Sequence, residues 1–276
     1  MTVVERNARA VERTNDYVVR RLHDRGQIRQ MLEARRTYAA YALGQLDPVL
    51  FRMSEWWGAH GPRGQALILH SRGGLGSATF VMGENEPLEA LLQTHPGARQ
   101  TFFTCETPHL ESVLRYFDLE QRQTMIRMHV SADTFTPAAG DARRMVGRDV
   151  RSVNGLYRTD GVPSFYSSRQ IDDSVYFGIE RDERLVSIAG THVISASSGI
   201  AVVGNVYTHP QYRGQRLAQI TTSAVTELLL KTCREVVLSV DPTNKAAVRA
   251  GCLRFVLSST AALFGNPERA SPRVSP

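Results

Sequence analysis

The stretch Gly199 to Val240 narrows most sharply what this 276-residue chain can fold into. An apolar run, Gly199 to Val206, leads into Tyr207-Thr208-His209-Pro210-Gln211-Tyr212-Arg213-Gly214-Gln215-Arg216-Leu217-Ala218. A helical pattern then continues to about Cys233, and the β-branched run Val236 to Val240 closes the stretch. A strand ending in an Arg-Gly turn that opens a helix is an anion site in waiting. The first backbone N–H groups of such a helix lack internal partners and sit at the positive end of its dipole, where phosphate binds.

The rest of the composition sets bounds. The length suits two domains, and 42% hydrophobic with 22% charged residues is the profile of a globular protein. No apolar run approaches the ~20 residues that span a bilayer. Arg6, Arg9, Glu12 and Arg13 interrupt the start of the chain where a secretory leader would be apolar. The three cysteines, Cys105, Cys233 and Cys252, are far apart, which gives neither a disulfide framework nor a Cys-x-x-Cys metal site. A cytoplasmic setting and no metal are the expectations. The net charge of +6 is spread from Arg6 to Arg273 rather than gathered in a stripe, so neither a nucleic-acid nor a membrane partner is expected.

In chain order, residues 1 to 25 read as a loosely ordered arm or frayed helix. Ile28, Met31, Leu32, Ala39 and Leu43 predict a helix over 28–46, and Pro48 opens a second one reaching Trp56-Trp57. Two β-type runs, 66–69 and 78–82, flank the glycine-rich Arg72 to Gly76, which reads as a hairpin turn because the Lys-Ser/Thr of a P-loop is missing. Helices follow over 87–94 and 109–117, with strands over 101–104 and 124–130. Thr136 to Gly140 is the linker candidate. Beyond it come a helix over 141–156, a short helix between Phe165 and Ile171, and a hairpin of 175–179 with 185–189, its second arm continuing to Ile194. The helix after Gly214 carries Leu217, Ile220, Ala224, Val225, Leu228 and Leu229 on one stripe, fit to pack on a sheet. A short helix, Asn244 to Ala250, and a last apolar run from Phe255 follow, and the proline-rich 266–276 reads as a disordered tail.

The two halves read alike in their order of helices and strands. The expected architecture is therefore α/β of the α+β kind: two tandem domains, 1–135 and 136–265, each a mixed, mostly antiparallel sheet flanked by helices. They differ at the turn that matters. Glu84 and Glu86 near the helix start of the first half repel an anion, which leaves the second half as the phosphate site.

Val206 to Ala218 resembles the GNAT superfamily of acyl-CoA-dependent N-acyltransferases. The family's phosphate-binding signature runs Gln/Arg-x-x-Gly-x-Gly/Ala; here Gln211 and Gly214 match its first two defined positions and Arg216 replaces the third. The run Val206-Tyr207-Thr208 with Pro210, Arg213 and Gly214 is similar to one branch of that superfamily. The resemblance covers about Asp141 to Phe264, and the first half reads as a degenerate copy. It implies that backbone at Val206, Tyr207 and Thr208 pairs with the pantetheine arm of acetyl-CoA as co-substrate. The amides of Gln211, Arg213, Gly214, Gln215, Arg216, Leu217 and Ala218 would hold the pyrophosphate, with Asn244 contributing from the following segment.

The chemical part of the family's pattern is less complete. Its usual Asn-x-x-Ala-x-x-x-Tyr-x-x-x-Gly-Phe finds Asn244 and Ala247, but Gly251 stands where the tyrosine acid belongs, and Phe255 comes one residue early. No Asp or Glu lies between Ser195 and Gln211. His192 and Tyr207 are then the catalytic candidates. Each also has a plainer reading. His192 falls on the strand face of Val186, Ile188 and Ile194, as a hydrogen-bonded core histidine would, and Tyr207 reads as a packing residue. The expected activity is direct transfer of an acetyl group to a primary amine on a small molecule or peptide, with a catalytically impaired acyl-CoA sensor as the alternative. The first half either completes the acceptor cleft or serves as the surface of a homodimer.

Overall fold

The computed structural model describes residues 11–14, 16–74, 76–118, 122–161, 165–245, 247–248 and 256–264, with backbone alone for 11–14 and 256–264. The expectations for Gly251, Phe255 and the tail from Asn266 lie outside the described residues. The chain forms two compact units: Met1–Met125 with Thr260–Pro276, and Ile126–Ser259.

The first unit contains β1 (Val11–Thr14), β2 (Tyr17–Arg21), α1 (Arg25–Glu33), α2 (Ala40–Gly44), α3 (Pro48–Arg52), β3 (Ser54–Gly61), β4 (Gly64–Ser71), β5 (Ala78–Gly83), α4 (Asn85–Thr94), β6 (Phe102–Thr104) and α5 (Leu110–Leu114). Its sheet runs β1-β2-β3-β4-β5-β6, antiparallel until the parallel pair β5–β6 that α4 connects. The expected arm within 1–25 is, over its described part, a hairpin, because Tyr17 and Val19 alternate into the core while β2 pairs with β3. The helix expected over 28–46 is broken after Glu33, yet Ile28, Leu32, Ala39 and Leu43 are all buried across the break. Asp47 caps α3 by accepting the Val49 amide at 3.0 Å. That helix stops at Arg52, and Trp56 and Trp57 belong to β3, where strand pairing with Leu69 and Ile68 overrides the helical reading.

The second unit opens within β7 (Gln123–Ser131). It continues with β8 (Arg143–Arg144), α6 (Val150–Arg158), α7 (Ser168–Asp172), β9 (Phe177–Arg181), β10 (Arg184–Ser195), β11 (Ile200–Thr208), α8 (Leu217–Leu229) and β12 (Glu235–Val240), and it ends within β13 (Val256–Phe264). The sheet order is β13-β7-β12-β11-β10-β9-β8. The β7 strand, expected to close the first half, instead pairs antiparallel with β12 from Glu235↔Ser131 to Val240↔Ile126, so the linker candidate 136–140 lies inside the second unit. The helix expected from Asp141 begins only with a 3-10 turn at Gly147–Asp149. Before it, Arg143 and Arg144 form an edge strand on β9, and Arg143 grips Asp149 at 2.9 and 3.2 Å and Glu180 at 2.6 Å.

This unit repeats the pattern of a meander followed by one parallel pair. β9, β10 and β11 are antiparallel, and α8 carries the chain across to β12, parallel to β11. The β9–β10 hairpin turns at Asp182 and Glu183, whose φ values of 49° and 61° match the twist of the strands it joins. On one face, Val225 and Leu229 of α8 bury against Ala201, Val203, Val236 and Leu238. Each such side chain contributes about 1.5–3 kcal/mol on full burial. On the other face Val153 and Leu156 of α6 and Ile171 of α7 pack with Ile188 and Tyr176.

Candidate active site

The site begins where β11 and β12 part. Their parallel register runs from Ile200↔Glu235 to Val203↔Leu238 and stops, although β11 continues to Thr208 and β12 to Val240. From Gly204 onward the β12-facing edge of β11 has no ladder partner among the described residues.

Two bulges lie beside that divergence. Between the pairs Ile188↔Tyr207 and Gly190↔Gly204, β11 carries one residue more than β10; between Thr191↔Val203 and Val193↔Val202, β10 carries the extra residue, His192. Asn205, in the first bulge, adopts the left-handed conformation at φ 53°. Bulges redirect side chains that strict alternation would place elsewhere. Here they bring His192 Nε2 to 3.0 Å from Asn205 Oδ1. They also explain why His192 is exposed rather than the core histidine that counting along β10 suggests. Its ring keeps a solvent edge but is flanked by enough protein that dehydration lowers its pKa below the ordinary 6.5; the Asn205 hydrogen bond opposes this shift, and the Arg127 charge adds to it.

A layer of tyrosines surrounds the pair. Asn205 Nδ2 donates to Tyr176 Oη at 2.8 Å, and the Tyr157 hydroxyl donates to the Asn205 carbonyl at 2.5 Å. Tyr166 packs between Tyr157 and Tyr176, with ring centroids 5.2 and 6.0 Å away. Burial raises the pKa of Tyr157, Tyr166 and Tyr176, so these hydroxyls stay protonated. Tyr207, half-buried on the same face, shares a hydrogen bond of 3.0 Å with Thr159 Oγ1, and the Arg213 guanidinium lies 5.8 Å from its ring centroid. It is a packing residue whose hydroxyl also meets a polar partner. Sequence reasoning missed Asn205 and the three tyrosines Tyr157, Tyr166 and Tyr176. The Gly204-Asn205 dipeptide inside an apolar run was the available signal, since glycine within a strand marks a bulge or a close approach.

The turn after β11 leads directly into the start of α8. Thr208 is fixed by Ser187 Oγ at 2.9 Å and His209 by its amide donating to the Val186 carbonyl at 2.8 Å. Pro210–Tyr212 forms a 3-10 turn, Gly214 takes φ 81°, and Arg216 is the residue before α8 with φ 59°. Among the described residues no side chain caps α8, and its first turn contains no acidic residue. Gln211, Arg213, Gly214, Gln215 and Arg216 are exposed, whereas Leu217 anchors the helix start in the core. A Cβ on Gly214 would meet nothing within 4 Å, so glycine there serves the backbone conformation alone. Arg213 folds back and donates from Nε to the Thr208 carbonyl at 3.2 Å. Asn244, beyond β12, uses Oδ1 to accept the Ala247 amide at 3.0 Å, which makes that oxygen a helix cap. By contrast, α4 of the first unit follows directly on Glu84 and carries Glu86 in its first turn.

Residues 149–250 match the model of the acetyltransferase (GNAT) family. The second unit carries a GNAT acetyltransferase domain. Solved structures agree with the GNAT fold over nearly the whole chain. A GCN5-related N-acetyltransferase from Kribbella flavida aligns with a TM-score of 0.60 at 16% identity, over 84% of this chain and 95% of its own. A Drosophila protein aligns with 0.65 at 13%, over 90% and 98%. A tandem GNAT protein from the clavulanic acid biosynthesis pathway aligns with 0.52 at 13%, over 91% and 98%. At these identities the likeness is one of fold, and it fits two tandem GNAT-like domains. No curated protein matches the chain in sequence. Among the described residues no helix is long and apolar enough to cross a membrane, and no group of three or more His, Cys, Asp or Glu is placed to hold a metal.

Proposed function

We propose that this protein transfers an acetyl group from acetyl-CoA to a primary amine by direct attack. The observation that carries the reading is the divergence of β11 from β12 at Gly204, running straight into an uncapped helix start within a GNAT domain. The unladdered backbone of Val206, Tyr207 and Thr208 suits the amide-bearing pantetheine arm. The amides from Gln211 to Ala218 suit the pyrophosphate, with Arg213 and Arg216 adding charge.

His192 is the base in this reading. It takes one proton from the ammonium form of the acceptor, and the freed lone pair attacks the thioester carbonyl carbon. The C–S bond breaks with its electron pair on sulfur, and the second proton lost by nitrogen ends on the thiol. Tyr207, near the end of β11, carries a hydroxyl that suits the role of acid. The experiment is thiol release from acetyl-CoA with n-butylamine, benzylamine and a lysine peptide. Release with any of these supports the reading; binding of acetyl-CoA with no release from a broad amine panel overturns it. That second outcome is the one favoured by Gly251, which replaces the family's tyrosine and motivates an acyl-CoA-binding protein without turnover.

A further inference from the structure

The first unit also has a strand that outruns its parallel partner. Its pair β5–β6 ends at Phe80↔Thr104, although β5 runs on to Gly83. We infer that Tyr38 and His109 plug this opening in place of a ligand, so that one chain takes a single acetyl-CoA, in the second unit. The count rests on the acetyl-CoA reading above; the plug itself does not.

The alternation of the ladder decides which groups face the opening. On its other side β5 pairs with β4, and the Glu84 amide donates to the Gln65 carbonyl at 3.0 Å. That bond makes Gln65 and Glu84 a hydrogen-bonded pair, so alternation turns the backbone of Val81 and Gly83 away from β4. Both of their carbonyls are taken. The Tyr38 hydroxyl donates to the Val81 carbonyl at 2.7 Å and lies 3.5 Å from that of Thr104, which sets it between the two strands. His109 Nε2, 2.8 Å from the Gly83 carbonyl, donates to it, because a carbonyl only accepts. Both side chains are buried, Tyr38 at 1% exposure and His109 at 4%. The Tyr38 ring packs on Phe80 with centroids 4.8 Å apart. Arg35 pairs with Glu106, which ties the chain before Tyr38 to the turn that carries His109. The second unit holds its strand end more loosely. There Tyr157 holds the carbonyl of the bulged Asn205, the exposed Arg213 reaches that of Thr208, and Val206 between them meets no side chain among the described residues. A pantetheine arm at Val81 and Gly83 would have to expel two buried side chains and leave their polar atoms unpaired. Glu84 and Glu86 at the start of α4 disfavour its phosphates as well.

Calorimetry of the full-length protein with acetyl-CoA counts the sites, and amide hydrogen exchange at saturating acetyl-CoA locates them. The inference expects one site per chain, with exchange slowed over 206–218 and unchanged over 81–86 and 104–110. A ligand-free measurement tests the plug alone. Tyr38→Phe keeps the ring but removes the hydroxyl, which leaves the buried Val81 carbonyl without its donor, so the urea midpoint should fall below that of the wild type. Two sites per chain, or a single site whose binding slows exchange over 81–86, overturns the plug. A Tyr38→Phe midpoint equal to that of the wild type also overturns it, since the hydroxyl would then hold nothing across the opening. A chain that binds no acetyl-CoA contradicts the acetyl-transfer reading, and a lowered Tyr38→Phe midpoint in that chain still supports the plug.

Discussion

The ring of His192 lies flat over the α-carbon of Gly204, so that a Cβ at position 204 would stand 2.4 Å from His192 Cε1 and 2.5 Å from Nε2. The glycine is required by the side chain it carries overhead and not by its backbone angle. Gly204→Ala should therefore push the imidazole off Asn205. The expected cost is about 1–3 kcal/mol from overpacking, read as a lowered urea midpoint. Thiol release should fall by about a hundredfold, because a displacement of an ångström is expensive at a reacting centre. A variant with full stability and full activity would show that the ring does not need its place.

The turn into α8 makes a separate prediction about affinity. Arg216 precedes the first helical turn and is exposed, with no acidic residue nearby in that turn. Arg216→Glu places a negative charge at the positive end of the helix and should weaken acetyl-CoA about tenfold or more by calorimetry, more at low salt than at high. Because the side chain is solvent-exposed, the melting temperature without ligand should hardly move. Equal affinity in the two proteins would place the pyrophosphate elsewhere.

Activity should also depend on pH in a direction fixed by His192. Its pKa is lowered below 6.5 by the loss of hydration beside flanking protein, so the neutral, proton-accepting form already predominates at pH 7. The kcat/KM for thiol release should contain an acid limb that begins below pH 6.5 and is lost in His192→Gln. The same shift acts on stability. Between the lowered native pKa and the unfolded value the unfolded chain binds more protons, so stability rises with pH across that window and this contribution is complete above about 6.5. His70 in the first unit, also lowered by burial, contributes with the same sign.

Much of this arrangement was legible in the residues, and the illegible part has a physical pattern. The turn from Gln211 into α8 was readable as a strand-to-helix turn because it needs left-handed backbone, which Gly214 supplies at φ 81°. Trp56 and Trp57 misled because a proline-initiated helix was extended through residues that β4 claims by cross-strand pairing, a contact no local pattern records. The placement of β7 failed for the same reason, since its partner β12 follows it by about a hundred residues. His192 was named from its chemistry but assigned to the wrong environment. Period-two counting assumes an unbroken strand, and the bulges at His192 and Asn205 shift the count on both sides.

Arg143 tests the edge of the second sheet. It bridges Asp149 at the start of α6 and Glu180 on β9, and it holds the Asp149 carboxyl below its ordinary range. Arg143 is 43% exposed on its side chain, so screening keeps the network modest. Arg143→Ala should cost about 0.5–1 kcal/mol in urea unfolding, with the difference shrinking in high salt. Because the Asp149 pKa is depressed, this contribution is present above its unfolded value and is lost as pH falls through the native one. A salt-independent loss would point to packing of the arginine stem instead.

The central claim is that the uncapped start of α8 and the open edge of β11 hold acetyl-CoA. The most direct test is the melting temperature of the full-length protein with and without acetyl-CoA. At a hundred times its dissociation constant, a ligand of the native state adds about 2.7 kcal/mol. The structure predicts a clear rise in melting temperature with acetyl-CoA that Arg216→Glu reduces at the same ligand concentration. An unchanged melting temperature up to millimolar acetyl-CoA would contradict it.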